Sequence, residues 1–380
     1  MEHYNTYVGM DVHTRSIVCK GLNVETGEYY SKSFFDCPTS EIVATWLKTL
    51  PQPLYCAYES GCTGYPLARE LRNQDINCDM IAITTLAKSV KNKNNKCDKI
   101  DAKVILKEIS SPFKDYTIVQ IPDEETEANR DIVRTLKQDT KKLCQAKQQL
   151  NSYLIKNGYV WNQKSKSGKL KKKWTRCYWE WVESINFNYA QKNITLNHLI
   201  GNVKIWESAV KDLKESIRTF AENKDNIEIV SALSLCNGVD ITTAFLVKSE
   251  IGDFNRFTSG RKISSWAGFT PKNNSSGEKE SHGGISKCGN KYIRKALVEG
   301  ISSISRWNNL NKFCSKYQDL CPNIALQMAN DCNKRCISKY NNLVRKKNKH
   351  PNKAKVATAN ELLRWLWIIG KQVQNMNENK

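Results

Sequence analysis

The sequence predicts an α/β domain followed by a mainly helical chain, and three observations carry that prediction. Strand and helix signals alternate through the first 120 or so residues, a seven-residue leucine repeat replaces them from about Glu127, and helical patterning fills the chain from about Asp225 onward. At 380 residues there is room for two or three domains with cores of their own. A hydrophobic content of 40%, with ten Trp and ten Phe, favours folding over disorder.

Taken in order, "TYVGMDV" and "SIVCKGLNV" read as strands joined by a polar turn, and "YYSKSFF" as a third. "LYCAYES" is a fourth strand after the amphipathic "SEIVATWLKTL". The helix-like "YPLARELRNQ", the strand-like "INCDMIA" and the basic, non-apolar "KSVKNKNNKCDK" complete an α/β domain with a mixed sheet over residues 1–125. Residues 126–224 read as a coiled-coil segment. Leu136, Leu143 and Leu150 recur every seven residues, Gly158 marks a stop, and Leu199, Val203, Trp206, Val210, Leu213, Ile217 and Phe220 form a second seam. The two seams fit either an antiparallel hairpin or an intermolecular coiled coil.

An insertion at 159–193 interrupts them, where lysines from Lys164 to Lys173 run into Trp174, Trp179 and Trp181. Charge for phosphates beside flat rings for bases is a nucleic-acid composition, with Lys171, Lys172, Lys173 and Trp174 as its candidates. A solvated loop followed by a helix with a core aromatic face is the competing reading. Residues 225–380 begin with helix, turn at Asn237-Gly238 and helix, and end in further helices, the last two separated by "RKKNKHPNKAK".

The formal charge of +21 calls for a polyanionic partner, nucleic acid first. No apolar run approaches the ~20 residues of a spanning helix, so no membrane partner is expected. The opening "MEHYNTYVGMDVH" does not read as a secretory signal, and the 14 scattered cysteines read as reduced thiols, which together predict a cytoplasmic protein. Cys332 and Cys336 share a helical face without a second ligand pair at finger spacing, which favours burial over zinc.

Four acids stand apart. Asp11 follows "YVGM" and Glu59 follows "LYCAY", each at a strand end, while Asp98 and Asp101 are three residues apart on one face of a helix whose other face carries Ile100, Val104 and Ile105. Carboxylates converging from strand ends and a helix turn are the ligand set for hard divalent cations that activate a phosphodiester. A second stretch, "TPKNNSSGEKESHGGISKCGN", lies between two helices and reads as an exposed glycine-rich loop.

"GMDVH", "YESGCTGYPLARELR" and "CDKIDAKVIL" resemble the Asp-Glu-Asp-Asp tetrad of the IS-one-ten family of insertion-sequence transposases, to which Piv-type DNA invertases are related. "GDFNRFTSGRKISSWAGFTPKNNSSGEKESHGGISKCGNKYIRKAL" is similar to the same family's second domain. The resemblance covers most of residues 1–120 and 225–305 in the family's order; the long Lys/Trp-rich insertion departs from it. It implies a RuvC-like RNase H fold at the N-terminus, a coiled-coil middle and a mainly helical C-terminal domain bearing a catalytic serine, Ser276, with Ser275 its immediate neighbour. It further implies Mg2+ held by Asp11, Glu59, Asp98 and Asp101, and a phosphoserine intermediate. The implied partners are donor and target DNA, a noncoding guide RNA, and further copies of the chain in a dimer or tetramer. Lys287, Asn290 and Arg294 are candidate phosphate contacts, against a capping role for Asn290 and an ion pair for Arg294. A site-specific invertase without RNA, a RuvC-like nuclease using water, and an inactive nucleic-acid-binding protein are the rival readings.

Overall fold

Strand β1 (Thr6–Val12) is covered on both sides, which is why it is apolar almost throughout rather than alternating: Val8 and Met10 enter one core, while Tyr7 packs at the other. The computed structural model describes residues 3–82, 98–113, 116–276, 279–304 and 318–379, and for 98–100, 273–276 and 279–282 it describes the backbone alone. The basic stretch 88–97 lies outside the described residues.

The elements after β1 are β2 (Ile17–Asn23), β3 (Tyr29–Phe34), α1 (Ser40–Lys48), β4 (Leu54–Glu59), α2 (Pro66–Arg72), β5 (Asn77–Ile81), α3 (Asp98–Ser110) and β6 (Ile118–Val119). They form a six-stranded sheet ordered β3-β2-β1-β4-β5-β6. β1, β4 and β5 are parallel; β2, β3 and β6 pair antiparallel with their neighbours. The expected mixed sheet is therefore present. β6 escapes the sequence because two residues carry no periodicity.

One face of the sheet, with Met10, Cys56, Tyr58 and Met80, packs with α1 and α2 through Val43, Leu47 and Leu71. The other, with Tyr55, Ala57 and Ile81, is covered by α3 through Ile105 and Ile109. The helix lies directly on the β1 backbone, since a Cβ at Gly9 would come within 2.4 Å of both Ala102 O and Leu106 N. Both obstructions are backbone atoms. Gly9→Ala is expected to push α3 off the sheet and cost about 1–3 kcal/mol, read as a lower urea midpoint.

The chain divides into two compact units, Met1–Asp123 and Glu124–Lys380. The second opens with α4 (Glu124–Lys156), α5 (Arg176–Glu183) and α6 (Ala190–Ala221). α4 and α6 run antiparallel: the Tyr153 hydroxyl donates to Lys192 O at 3.0 Å, Lys147 meets Glu207 at 2.6 Å, and Val133 and Leu136 share a core with Val210 and Ile217. The two heptad seams thus face each other within one chain. Gly158, with φ of +85°, ends the first of them.

Between these helices the Lys/Trp-rich segment folds as a cap. Lys164 bridges to Leu170, and the Trp161 indole donates to Lys171 O at 2.8 Å. Trp161 and Tyr178 are buried, and Trp174, Trp179 and Trp181 pack around them, with Trp174 and Tyr178 centroids 4.9 Å apart. Lysines cover the rings, Lys147 lying 4.9 Å over Trp174 and Lys142 4.3 Å over Trp206. These aromatic residues build a small core at the tip of the helical pair.

The remaining elements are α7 (Lys224–Ser234), α8 (Ile241–Ile251), α9 (Gly260–Trp266), β7 (Pro271–Ser276), β8 (Lys279–Ile285), α10 (Lys291–Ile301), α11 (Asn323–Asn341), a π-helical turn (Asn342–Lys346) and α12 (Pro351–Glu378). They share one core with the lower half of the α4–α6 pair. Gly238, with φ of +81°, makes the turn between α7 and α8. Cys332 and Cys336 are fully buried in that core along with Cys236. Helix α12 starts inside the basic run, so only its first part separates the last two helices. Among the described residues no helix is long and apolar enough to cross a membrane.

Candidate active site

Asp11 and Glu59 stand at the C-terminal ends of neighbouring parallel strands. The register pairs Gly9 with Ala57 and Met10 with Tyr58, so one further step brings Asp11 abreast of Glu59. Met10 and Tyr58 belong to the α1–α2 face, and strand alternation puts both acids on the opposite, α3 face. Helix α3 runs antiparallel to β1. Its Lys107 and Ser110 share a cavity with Leu22 and Tyr29, and Leu22 pairs with Tyr7 at the start of β1, so the first turn of α3 lies toward Asp11.

Asp101 sits half-buried in that part of the helix, and Asp98 is its first residue, with a side chain outside the described residues. The helical spacing corrects one expectation. Ile105 lies one turn from Asp101 and is buried with Ala102, Leu106 and Ile109, so Asp101 flanks the buried stripe instead of opposing Ile105. Carboxylates are by chemistry the ligands of hard divalent cations, but among the described residues no three His, Cys, Asp or Glu side chains are grouped tightly enough to hold one. His13, which sequence reasoning passed over, lies 3.3 Å from Asp11 through Nε2. Its signal was the i,i+2 spacing, which keeps a residue just past the strand end on the same side as Asp11.

In the second unit the expected serine loop is a β-hairpin. β7 and β8 pair antiparallel, with Ser275 opposite Glu280 and Ser276 opposite Lys279, so Ser276 ends its strand immediately before the turn. Gly277 lies outside the described residues. Sequence reading missed the strands because they hold Asn, Gly, Lys and Ser with almost no β-branched or aromatic residue to mark them.

The hairpin's base is locked by close backbone contacts. A Cβ at Gly289, whose φ is +132°, would come within 2.1 Å of Trp266 O, and one at Gly268, with φ of +72°, within 2.6 Å of Cys288 O. The Ser286 amide donates to Thr270 O at 2.8 Å, and the Asn290 amide to Trp266 O at 3.1 Å. Asn290 caps α10, its Oδ1 accepting from the Tyr292 and Ile293 amides at 3.0 Å each. Its Nδ2 donates to Glu250 Oε2 at 2.7 Å. The Arg294 guanidinium donates to Ala267 O at 2.7 Å, and burial pulls its pKa down. Asn290 and Arg294 therefore tie α10 to the strand-bearing segment, whereas Lys287 is exposed with φ of +59°. Asn290→Ala is expected to cost about 1–2 kcal/mol, measured by thermal unfolding, since it removes a cap and one partner of a buried carboxylate.

Glu250 is the centre of this arrangement and was not singled out from sequence. It is 2% exposed and receives two bonds from Arg134, at 2.7 and 2.8 Å, besides that from Asn290. An acid in the apolar run "ITTAFLVKSEI" was the available signal, because buried carboxylates require partners. At the tip of the helical pair, Lys172 and Lys173 are exposed, Lys173 bonding Asn151, while Lys171 and Trp174 are partly covered.

Residues 230–318, which include the hairpin and its locked base, match the family model described as Transposase IS116/IS110/IS902 family. A transposase-named protein, y4qE, of Sinorhizobium fredii is 28% identical over 65% of this chain and 57% of its own length. The transposase for insertion sequence element IS1533 of Leptospira borgpetersenii is 26% identical over 68% of this chain and 72% of its own. That for element IS1111A of Coxiella burnetii is 30% identical over 33% of each. These matches make the chain similar to transposases of the IS116/IS110/IS902 family. The chain thus spans little more than half of the first of these relatives. Within the matched residues, Gly268, Gly289, Asn290 and Arg294 make the contacts that hold the β7–β8 hairpin against its neighbouring helices.

Proposed function

We propose that this chain is the transposase of an insertion sequence, cutting and rejoining DNA through a phosphoserine intermediate at Ser276. What supports the reading is the strand register that brings Asp11 abreast of Glu59 on the face covered by α3, the helix that Asp98 opens and that carries Asp101. That arrangement, on a sheet of three antiparallel strands continued by parallel ones, supports a RuvC-like RNase H fold for residues 1–125. Residues 126–224 then form the coiled-coil region and 225–380 the serine-bearing domain.

Asp11, Glu59, Asp98 and Asp101 would hold Mg2+, whose charge eases deprotonation of an attacking hydroxyl and stabilises a leaving oxygen. Ser276 Oγ loses its proton and bonds to phosphorus; the bridging oxygen of the cut strand leaves with its electron pair and takes up a proton. Attack by another DNA end reverses the exchange and frees the serine. A charge of +21 suits two polyanions, DNA and a guide RNA that pairs with donor and target, so the protein itself need not read base sequence. Lys172 and Lys173 offer phosphate contacts at the tip of the helical pair, with Lys171 and Trp174 bracing that loop. Because the heptad seams are satisfied within the chain, a dimer or tetramer would use outward residues such as Ile155, Ile194 and Ile205.

The test is to incubate protein, co-purified RNA and DNA spanning the element's end with Mg2+, then probe for a covalent protein–DNA adduct. An adduct lost on chelation and in Asp11→Asn is the expected result. Cleavage without any adduct would mean water attack by the carboxylate centre.

A further inference from the structure

The hairpin's base stands between two basic grooves. One, of about 950 Å3, lies between β7–β8 and the start of α12 and carries Lys272, Lys287, Lys339, Lys349 and Lys353. Among the described residues, none of its lining is acidic, and only Lys339 has a carboxylate partner, Glu361 at 2.7 Å. The other, of about 710 Å3, lies between the hairpin base, α4 and α10, with Lys137, Lys141, Lys291 and Lys295. Its one acid, Glu299, is 3.8 Å from Lys295. Lys287 lines both, so the grooves meet at a single exposed cation.

Intrinsic stability does not explain these charges. Lys353 is in the first turn of the 28-residue α12, where the positive end of the helix dipole favours an acid. Lysines gathered in a concave surface that has one acid in its described lining fit a polyanion that threads it.

We infer that these grooves carry the sugar-phosphate backbone of the DNA that Ser276 attacks, passing from one to the other over Lys287. The assignment to DNA rests on the proposed function. Lys272 belongs to the strand that ends on Ser276, four residues away, which is roughly 13 Å along a strand or the rise of about four nucleotides. A phosphate held by Lys272 thus fixes which bond reaches the hairpin's end.

Three variants test this in the full chain with its co-purified RNA: Lys349→Glu/Lys353→Glu, Lys141→Glu, and Gly284→Glu, where an added Cβ meets no atom within 4 Å. Binding is read by fluorescence anisotropy of a labelled mixed-sequence DNA duplex across a salt series, alongside binding of the RNA and adduct formation. The double variant should hold or raise the melting midpoint, weaken DNA binding roughly tenfold or more, and reduce the salt slope by about two. Lys141→Glu should reduce the slope by about one, and Gly284→Glu should lower affinity by blocking the first groove. RNA affinity should be unchanged. Unaltered DNA affinity and slope, with the wild-type adduct intact, would overturn the groove assignment and leave the serine chemistry standing. Reduced DNA affinity in a protein whose wild type forms no adduct would keep the grooves and remove the serine reading. Loss of RNA binding alone would make the surface an RNA site and also overturn the inference.

Discussion

Ser276→Ala is expected to eliminate the covalent protein–DNA adduct and to lower strand exchange by roughly a thousandfold or more, with DNA affinity close to that of the wild type. Alanine removes one hydroxyl from the last residue of a strand and leaves the backbone pairing with Lys279 intact. The effect should therefore appear in chemistry and not in folding. Ser275→Ala is the sharp control, because successive positions of a strand lie on opposite faces and Ser275 pairs one step further from the turn, with Glu280. If the reading is right, Ser275→Ala retains the adduct. The reverse pattern, adduct in Ser276→Ala and none in Ser275→Ala, would transfer the nucleophile to its neighbour. Denaturing gels with labelled DNA distinguish the outcomes, and continued cutting by both variants without an adduct would return the chemistry to water.

Strands β1 and β4 were legible because their apolar content follows from burial on both faces, and Asp11 and Glu59 were legible because each breaks such a run at its end. The heptads likewise showed two seams, but not that they face each other inside one chain, since a repeat records a stripe and not its partner. The Trp-rich insertion was ambiguous for the same reason: composition does not say which way rings turn, and here Trp161 and Tyr178 turn inward. The hairpin was hidden altogether. Its strands are held by backbone pairing and by the locked glycines at Gly268 and Gly289, neither of which leaves hydrophobic periodicity behind. The apolar run around Glu250 marked it as a buried acid, but not its partners, since Arg134 and Asn290 are 116 and 40 residues away.

Glu250→Ala is expected to be the most destabilising single change near the hairpin, at about 3–5 kcal/mol. The carboxylate is almost fully buried, accepts three bonds, and joins α8 to α4 through Arg134 and to the α10 cap through Asn290. Removing it takes a two-bond partner from the Arg134 guanidinium, which is 35% exposed and 5.2 Å over the Tyr292 ring, and the acceptor from the Asn290 side-chain amide. Glu250→Gln keeps the volume and one acceptor but cannot receive both Arg134 bonds as a charged pair, so it should fall between wild type and alanine. Urea unfolding gives the stability order. The functional consequence separates a mere prop from a positioning role: the Asn290 cap sits one residue from Gly289, whose contact with Trp266 seats the hairpin. Under conditions where Glu250→Gln is fully folded, its adduct yield should still be depressed, with DNA affinity retained, because the serine strand is no longer held in register with its base. Wild-type yield in folded Glu250→Gln would confine this carboxylate to stability alone.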